Sequence, residues 1–260
     1  MAKKKNLKGL EREELDFINE KMKPSYPDTT DYVNRGKGMD FKVYIKPKNP
    51  RQEELIRTIR EKEVVFCSGA AGTGKSYVAF STLLSLLKED NPYKIITLIV
   101  PTVQSDLEIG FLKGTLEEKI LPHAEPHLYT MEKIINKSGG VGKTALEAFK
   151  KYGLLEIRPV SFLRGATLDD RVIVVEESQN FPMSAFKTIL TRLGDNCKMV
   201  FLGDVEQVDN KELRKRGAKC GLEHAMENLK GIPEIGIVRF SKDEIVRNPL
   251  ISKILEKWED

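Results

Sequence analysis

Six short apolar runs punctuate the chain, at residues 64–68, 95–100, 155–159, 172–175, 199–202 and 235–240. Several are continuous rather than alternating, which is the pattern of strands covered on both faces. Between them, helical periodicity predicts helices over 75–88, 130–135, 144–152, 184–193, 222–229 and 249–258. Strands alternating with helices in this way imply an α/β fold, a doubly wound and mostly parallel sheet flanked by helices. Ahead of it, residues 7–23 alternate charged and apolar positions and predict a charged helix. The stretch 24–38, rich in Pro, Gly, Asp, Asn and Thr, reads as a linker. The domains expected are therefore an N-terminal helix and linker at 1–39 and one domain at 40–260.

Composition changes this picture little. Lys and Arg outnumber Asp and Glu by 43 to 39, a net charge of +4, which is too mild to identify a nucleic-acid partner. Cys67, Cys197 and Cys220 have no paired metal-binding spacing, and Cys67 and Cys197 sit in or beside apolar runs, so buried free thiols are expected. The basic start at Met1 to Lys5 is not followed by the apolar core of a signal peptide, and no run reaches membrane-spanning length. A reducing, cytoplasmic setting without a membrane is the expectation.

The chemistry begins where the first run ends. Gly69-Ala70-Ala71-Gly72-Thr73-Gly74-Lys75-Ser76 is a glycine, four spacers, then Gly-Lys-Ser, placed between a predicted strand and a helix opening at Tyr77. That is the phosphate-binding P-loop, whose glycines let backbone N–H groups turn inward around phosphates. Lys75 is then expected on the β- and γ-phosphates and the Ser76 hydroxyl on Mg²⁺, with ATP as the nucleotide. Upstream, Gln52 could pair its amide with adenine, although a Gln in a polar run is more often simply solvated.

Two further strand ends carry polar groups. The run 172–175 leads into Glu176-Glu177, at the strand end where parallel sheets bind ligands. Alternation along a strand would send the two carboxylates to opposite sides, Glu176 toward the Mg²⁺ shell and Glu177 toward the attacking water. The run 199–202 leads into Gly203-Asp204-Val205-Glu206-Gln207, where Gln207 is placed to sense the γ-phosphate and Asp204 to join the Mg²⁺ or water network.

Together these residues resemble the PhoH family of P-loop ATPases, related to superfamily 1 helicases. The likeness covers roughly residues 45–258 and includes Val103, Gly110-Phe111-Leu112, Gly114, Arg164-Gly165-Ala166-Thr167-Leu168, Glu177-Ser178-Gln179-Asn180, Leu190-Thr191-Arg192-Leu193-Gly194 and Val246-Arg247-Asn248-Pro249-Leu250. The chain departs from the family pattern at Glu176, where Asp is usual, at Val100, where Arg is usual, and at Lys113, where Pro is usual.

The resemblance implies a single RecA-like domain that couples ATP hydrolysis to binding, moving on or unwinding RNA or single-stranded DNA. The basic run from Lys211 to Lys219 is placed to contact a nucleic-acid backbone. A nucleotide-gated oligomeric binding protein without helicase activity is the alternative. With only about fifty residues after Gln207, too few for a second such domain, the site needs another wall. A homo-oligomer, most simply a hexameric ring, would supply one, with Arg192 or Arg247 reaching a neighbour's nucleotide.

Overall fold

The computed structural model describes residues 41–89, 91–101, 116–163, 165, 167–208 and 220–246. The expected helices at 7–23 and 249–258, and the basic run, lie outside these residues. Within them the strands are β1 (Val64–Ser68), β2 (Ile95–Val100), β3 (Leu155–Pro159), β4 (Arg171–Val175), β5 (Cys197–Gly203) and β6 (Ile235–Arg239). They form one sheet in the order β3-β2-β4-β5-β1-β6. Every pairing is parallel.

The side-chain period of two divides the strands between two cores, except the edge strand β3, whose apolar residues join only the first. Val65, Cys67, Leu98, Val174, Val200 and Leu202 face one core, which is completed by helices α1 (Pro50–Glu61), α2 (Lys75–Leu86), α3 (Leu116–Lys137) and α4 (Gly142–Lys151). Val64, Phe66, Ile173, Val175, Met199 and Phe201 face the other, covered by α5 (Met183–Leu190) and α6 (Gly221–Asn228). Rings lock the second core: Phe201 lies 5.0 Å from both Phe66 and Phe186 between centroids. Truncating a buried Phe of this kind to Ala costs about 3–5 kcal/mol. All three cysteines are buried free thiols.

Two helices differ from the sequence expectation. The polar run around Gln52 opens α1, where Asn49 caps the Gln52 N–H at 2.8 Å, Pro50 occupies the first turn, and Leu55 and Ile59 are buried. The segment predicted as 130–135 is the C-terminal part of a 22-residue helix, α3, which continues through Pro122 and Pro126. Both prolines are on its exposed side, where water can take up the carbonyls they release, and Ile120, Ala124, Met131 and Ile134 anchor the other side. No helix among the described residues is long and apolar enough to cross a membrane.

Because β5 lies between β1 and β4, the loops leaving these three strands share one edge of the sheet. Ser68 pairs with Gly203, and Val175 with Phe201. At about 4.8 Å per strand, the ends of β1 and β4 are roughly 10 Å apart, close enough for one nucleotide's phosphates and their cation to bridge.

Candidate nucleotide site

The loop from Gly69 to Gly74 is held from three sides. Gly69 N–H donates to Gly203 O at 3.1 Å, Val246 N–H to Gly72 O at 3.0 Å, and the Gln52 amide to Thr73 O at 2.8 Å. Thr73 is fully buried, its hydroxyl donating to Ala70 O at 2.9 Å. Gly74 is required on two counts: its φ is +86°, and an added Cβ would lie 2.7 Å from Gln52 Nε2. It is also the N-cap of α2, so the capping residue has no side chain to offer the first-turn N–H groups, and these face the loop. The Lys75 ammonium donates to the carbonyls of Gly69 and, at 3.0 Å, Ala70, which stations it within the loop. Tyr77 packs its ring under Lys137 Nζ at 5.4 Å, tying the start of α2 to α3.

Gln52 itself is buried, with its carbonyl oxygen accepting from Lys48 N–H at 2.8 Å. The amide expected to read adenine therefore spends one hydrogen and one lone pair on the chain's own backbone, and its first role here is to brace the loop. One hydrogen and one lone pair remain for a base.

The acidic pair is built differently from the strand alternation anticipated above. β4 ends at Val175, and Glu177 occupies the left-handed region at φ 50°, ψ 38° before a short 3₁₀ turn at Ser178–Asn180. A turn, rather than the pleat, therefore separates the two carboxylates. A non-glycine residue held there stores on the order of 1–3 kcal/mol, and such strain gathers at functional sites. Glu176 points inward and is 3% exposed. Burial pushes its pKa up to about 7; the Ser76 hydroxyl, the Lys75 charge and the Glu177 backbone N–H oppose this, and the Glu177 charge adds to it. Its Oε1 has no hydrogen-bond partner among the described residues.

At the end of β5 the two polar strand ends are joined. Gln179, 1% exposed, donates through Nε2 to Glu177 Oε2 at 2.7 Å and to Gln207 O at 3.1 Å, while its Oε1 accepts from Asp204 N–H at 3.1 Å. Gly203 is where this amide comes close, since a Cβ there would sit 2.5 Å from Gln179 Oε1. Asp204 is buried and turns its Oδ1 to the Glu206 N–H at 3.0 Å; the Gln207 side chain is exposed. Arg192 is at the other edge of the sheet: its carbonyl accepts from Leu168 N–H, three residues before β4 begins. The chain thus does not bring Arg192 to its own loop. Arg247 lies outside the described residues.

One neighbour of the site was not anticipated. His127, on α3, is buried with its Nδ1 3.7 Å from Glu176 Oε1 and its ring 6.2 Å from that of Phe80. Burial drives its pKa down to about 4. With Glu176 pushed up and His127 pushed down, the pair is not a salt bridge at neutral pH but a contact between a neutral imidazole and a carboxyl group. Its signal in the sequence is a histidine on an apolar helical stripe with Ile120, Ala124, Met131 and Ile134.

The donor set suits Mg²⁺. No three His, Cys, Asp or Glu side chains converge on a cation position among the described residues, but Mg²⁺ beside phosphates is ordinarily held by one or two protein oxygens and several waters. The Ser76 hydroxyl and the Glu176 carboxylate, which lie close enough for the hydroxyl to lower the carboxyl's pKa, are the protein oxygens that could do so.

A family model described as PhoH-like protein matches residues 44–259. Curated relatives include the PhoH-like protein of Bacillus subtilis (strain 168), 36% identical over 215 residues, covering 83% of this chain and 64% of that protein. Protein PhoH of Escherichia coli (strain K12) is 31% identical over 218 residues, covering 81% of this chain and 57% of that one. This chain therefore spans about six-tenths of the length of these relatives. Among solved structures, the large terminase of a thermophilic bacteriophage in complex with ADP aligns over 80% of this chain and 49% of its own, at 11% identity and a TM-score of 0.44. The Pif1 helicase of Candida albicans aligns over 82% and 44%, at 14% identity and a TM-score of 0.38.

Proposed function

The chain belongs to the PhoH-like protein family, and on that premise we propose that it binds ATP at the loop from Gly69 to Ser76 and hydrolyses it with Glu177 as the base on the attacking water. The observation that carries this reading is the Gln179 bridge. It holds the Glu177 carboxylate, itself on a strained backbone, in fixed relation to the Asp204–Gln207 turn. A catalytic base and a γ-phosphate sensor need that mutual geometry, and a solvated acidic strand cap does not.

Loop N–H groups and the start of α2 would take the phosphates, with Lys75 moving from the loop carbonyls to the β- and γ-oxygens. Ser76 and Glu176 would hold Mg²⁺, which when bound neutralises phosphate charge. Gln207, exposed at the rim, is free to contact the γ-phosphate. Asp204 would act on the water network through the turn it caps.

Coupling to RNA or single-stranded DNA is the second half of the proposal. The family premise and the basic run Lys211 to Lys219, which follows the sensor turn directly in sequence, support it. The location of Arg192 at the far sheet edge supports a homo-oligomeric ring in which it serves a neighbouring site; Arg247 is the other candidate. Phosphate release measured with and without RNA and single-stranded DNA tests the whole. Stimulation by nucleic acid is expected, whereas hydrolysis indifferent to every nucleic acid would favour a nucleotide-gated binding protein, and none at all would reject the ATPase.

A further inference from the structure

Beyond the loop and the acidic strand end, one buried contact has no place in that mechanism. Glu176 is buried, one of its two oxygens is committed to no donor, and His127 Nδ1, on α3, stands 3.7 Å from that oxygen. A buried polar atom without a partner costs about 1–3 kcal/mol, and the imidazole stands one small rotation from removing that cost. His127 cannot swing away freely, because Phe80 flanks its ring and α3 is packed along α2. The contact joins the helix that starts at the P-loop, the helix that covers it, and the carboxylate facing Ser76.

We propose that His127 is a positioning residue for the cation site: its Nδ1–H holds Glu176 Oε1 and so fixes the carboxylate plane that, with Ser76, receives the divalent cation of the bound nucleotide. This rests on the ATP and Mg²⁺ reading given above. The neutral Nδ1–H tautomer and the imidazolium both donate from this atom, so the role does not depend on the protonation of the ring. It also gives the longer Glu side chain at 176 a brace that an exposed carboxylate would lack. Groups that orient a metal-binding carboxylate in this way are commonly worth 10- to 100-fold in cation affinity.

The test uses Mn²⁺ as the probe, with binding read by its electron paramagnetic resonance signal in the presence of saturating ADP, for the full chain and three variants. His127→Leu keeps the bulk and removes the donor, His127→Asn places an amide N–H near the Nδ1 position, and His127→Gln places it near Nε2. The expected result is at least tenfold weaker Mn²⁺ binding in the Leu and Gln variants, recovery in the Asn variant, and ADP affinity without cation unchanged in all. Equal Mn²⁺ affinity in the parent and the Leu variant overturns the proposal. So does equal loss in all three variants with a matching fall in melting temperature, which is the signature of packing alone. Should the Leu variant fail to fold, the Asn and Gln pair decides: equal affinities reject the role. A parent that binds neither ADP nor Mn²⁺–ADP instead removes the nucleotide site itself, and the proposal with it.

Discussion

Replacing Glu176 with Gln should stabilise the protein free of nucleotide and cation, and the gain should appear only as the pH rises. In the folded chain this carboxyl titrates near 7 rather than 4.5, chiefly because it is buried. Between those values the folded state holds a proton that the unfolded chain has lost, so its contribution to stability falls as the pH increases. At about 1.36 kcal/mol per pH unit of displacement, the ionised side chain opposes folding by about 3 kcal/mol above pH 7. Local rearrangement around the charge makes this an upper bound.

His127 works in the opposite sense. Its pKa is depressed to about 4 from 6.5 by burial, so it costs stability as the pH falls through that window and nothing above it. The parent's dependence on pH is therefore partly cancelled, and the difference between Glu176→Gln and parent isolates the carboxyl. That difference should be near zero at pH 4.5 and grow to its full value by pH 7.5. In thermal melts with a chelator present it amounts to roughly 6–12 °C, at 2–4 °C per kcal/mol for a domain of this size. A variant no more stable than the parent at pH 8, or a difference that does not change with pH, would refute the argument that Glu176 is enclosed and desolvated.

Three other outcomes follow from the same geometry. Gly74→Ala should cost about 2 kcal/mol, since a left-handed backbone alone costs about 1–2 kcal/mol for a residue with a Cβ, and its loss should be less than additive with that of Gln52→Ala because both break the same brace; additive losses in chemical denaturation would contradict the contact. Gln179→Met should lower turnover roughly 100-fold while leaving ADP affinity near the parent's, and parental turnover would show that the bridge between Glu177 and the sensor turn is incidental. Mixing Lys75→Ala subunits with Arg192→Ala or Arg247→Ala subunits should restore phosphate release, because one mixed interface contains both intact halves; failure of both mixtures, with the parent sedimenting as a monomer in ATP, would reject a shared site.

The strands and the P-loop were legible in the sequence because each is specified locally. Runs such as Ile95–Val100 are buried on both faces and carry a single polar position, Thr97, so they read as strands, and the loop's form is written in Gly72 and Gly74, both at positive φ. The acids at 176 and 177 were legible as a strand end, but the left-handed turn at Glu177 was not, since neither Glu nor its neighbours favour that backbone region. Helix α1 was hidden by a polar first turn whose capping role depends on Asn49 and Pro50 together. In α3 two prolines masked a helix whose buried stripe only makes sense against the sheet, and with it His127 was lost. The roles of Gln52 and Gln179 depend on partners far along the chain, Thr73 for the one and Asp204 and Gln207 for the other, which no local pattern predicts.

In the proposed function one enclosed site binds ATP through Lys75 and the loop and hydrolyses it through Glu177. The most direct test measures nucleotide affinity and single-turnover phosphate release side by side for the parent, Lys75→Ala and Glu177→Gln. Lys75 meets the ground-state phosphates, so its loss should weaken ATP binding itself; Glu177 acts on water, so its replacement should leave binding near the parental value and reduce hydrolysis by roughly 100-fold or more. Parental hydrolysis in Glu177→Gln, or ATP affinity untouched by Lys75→Ala, would contradict the account.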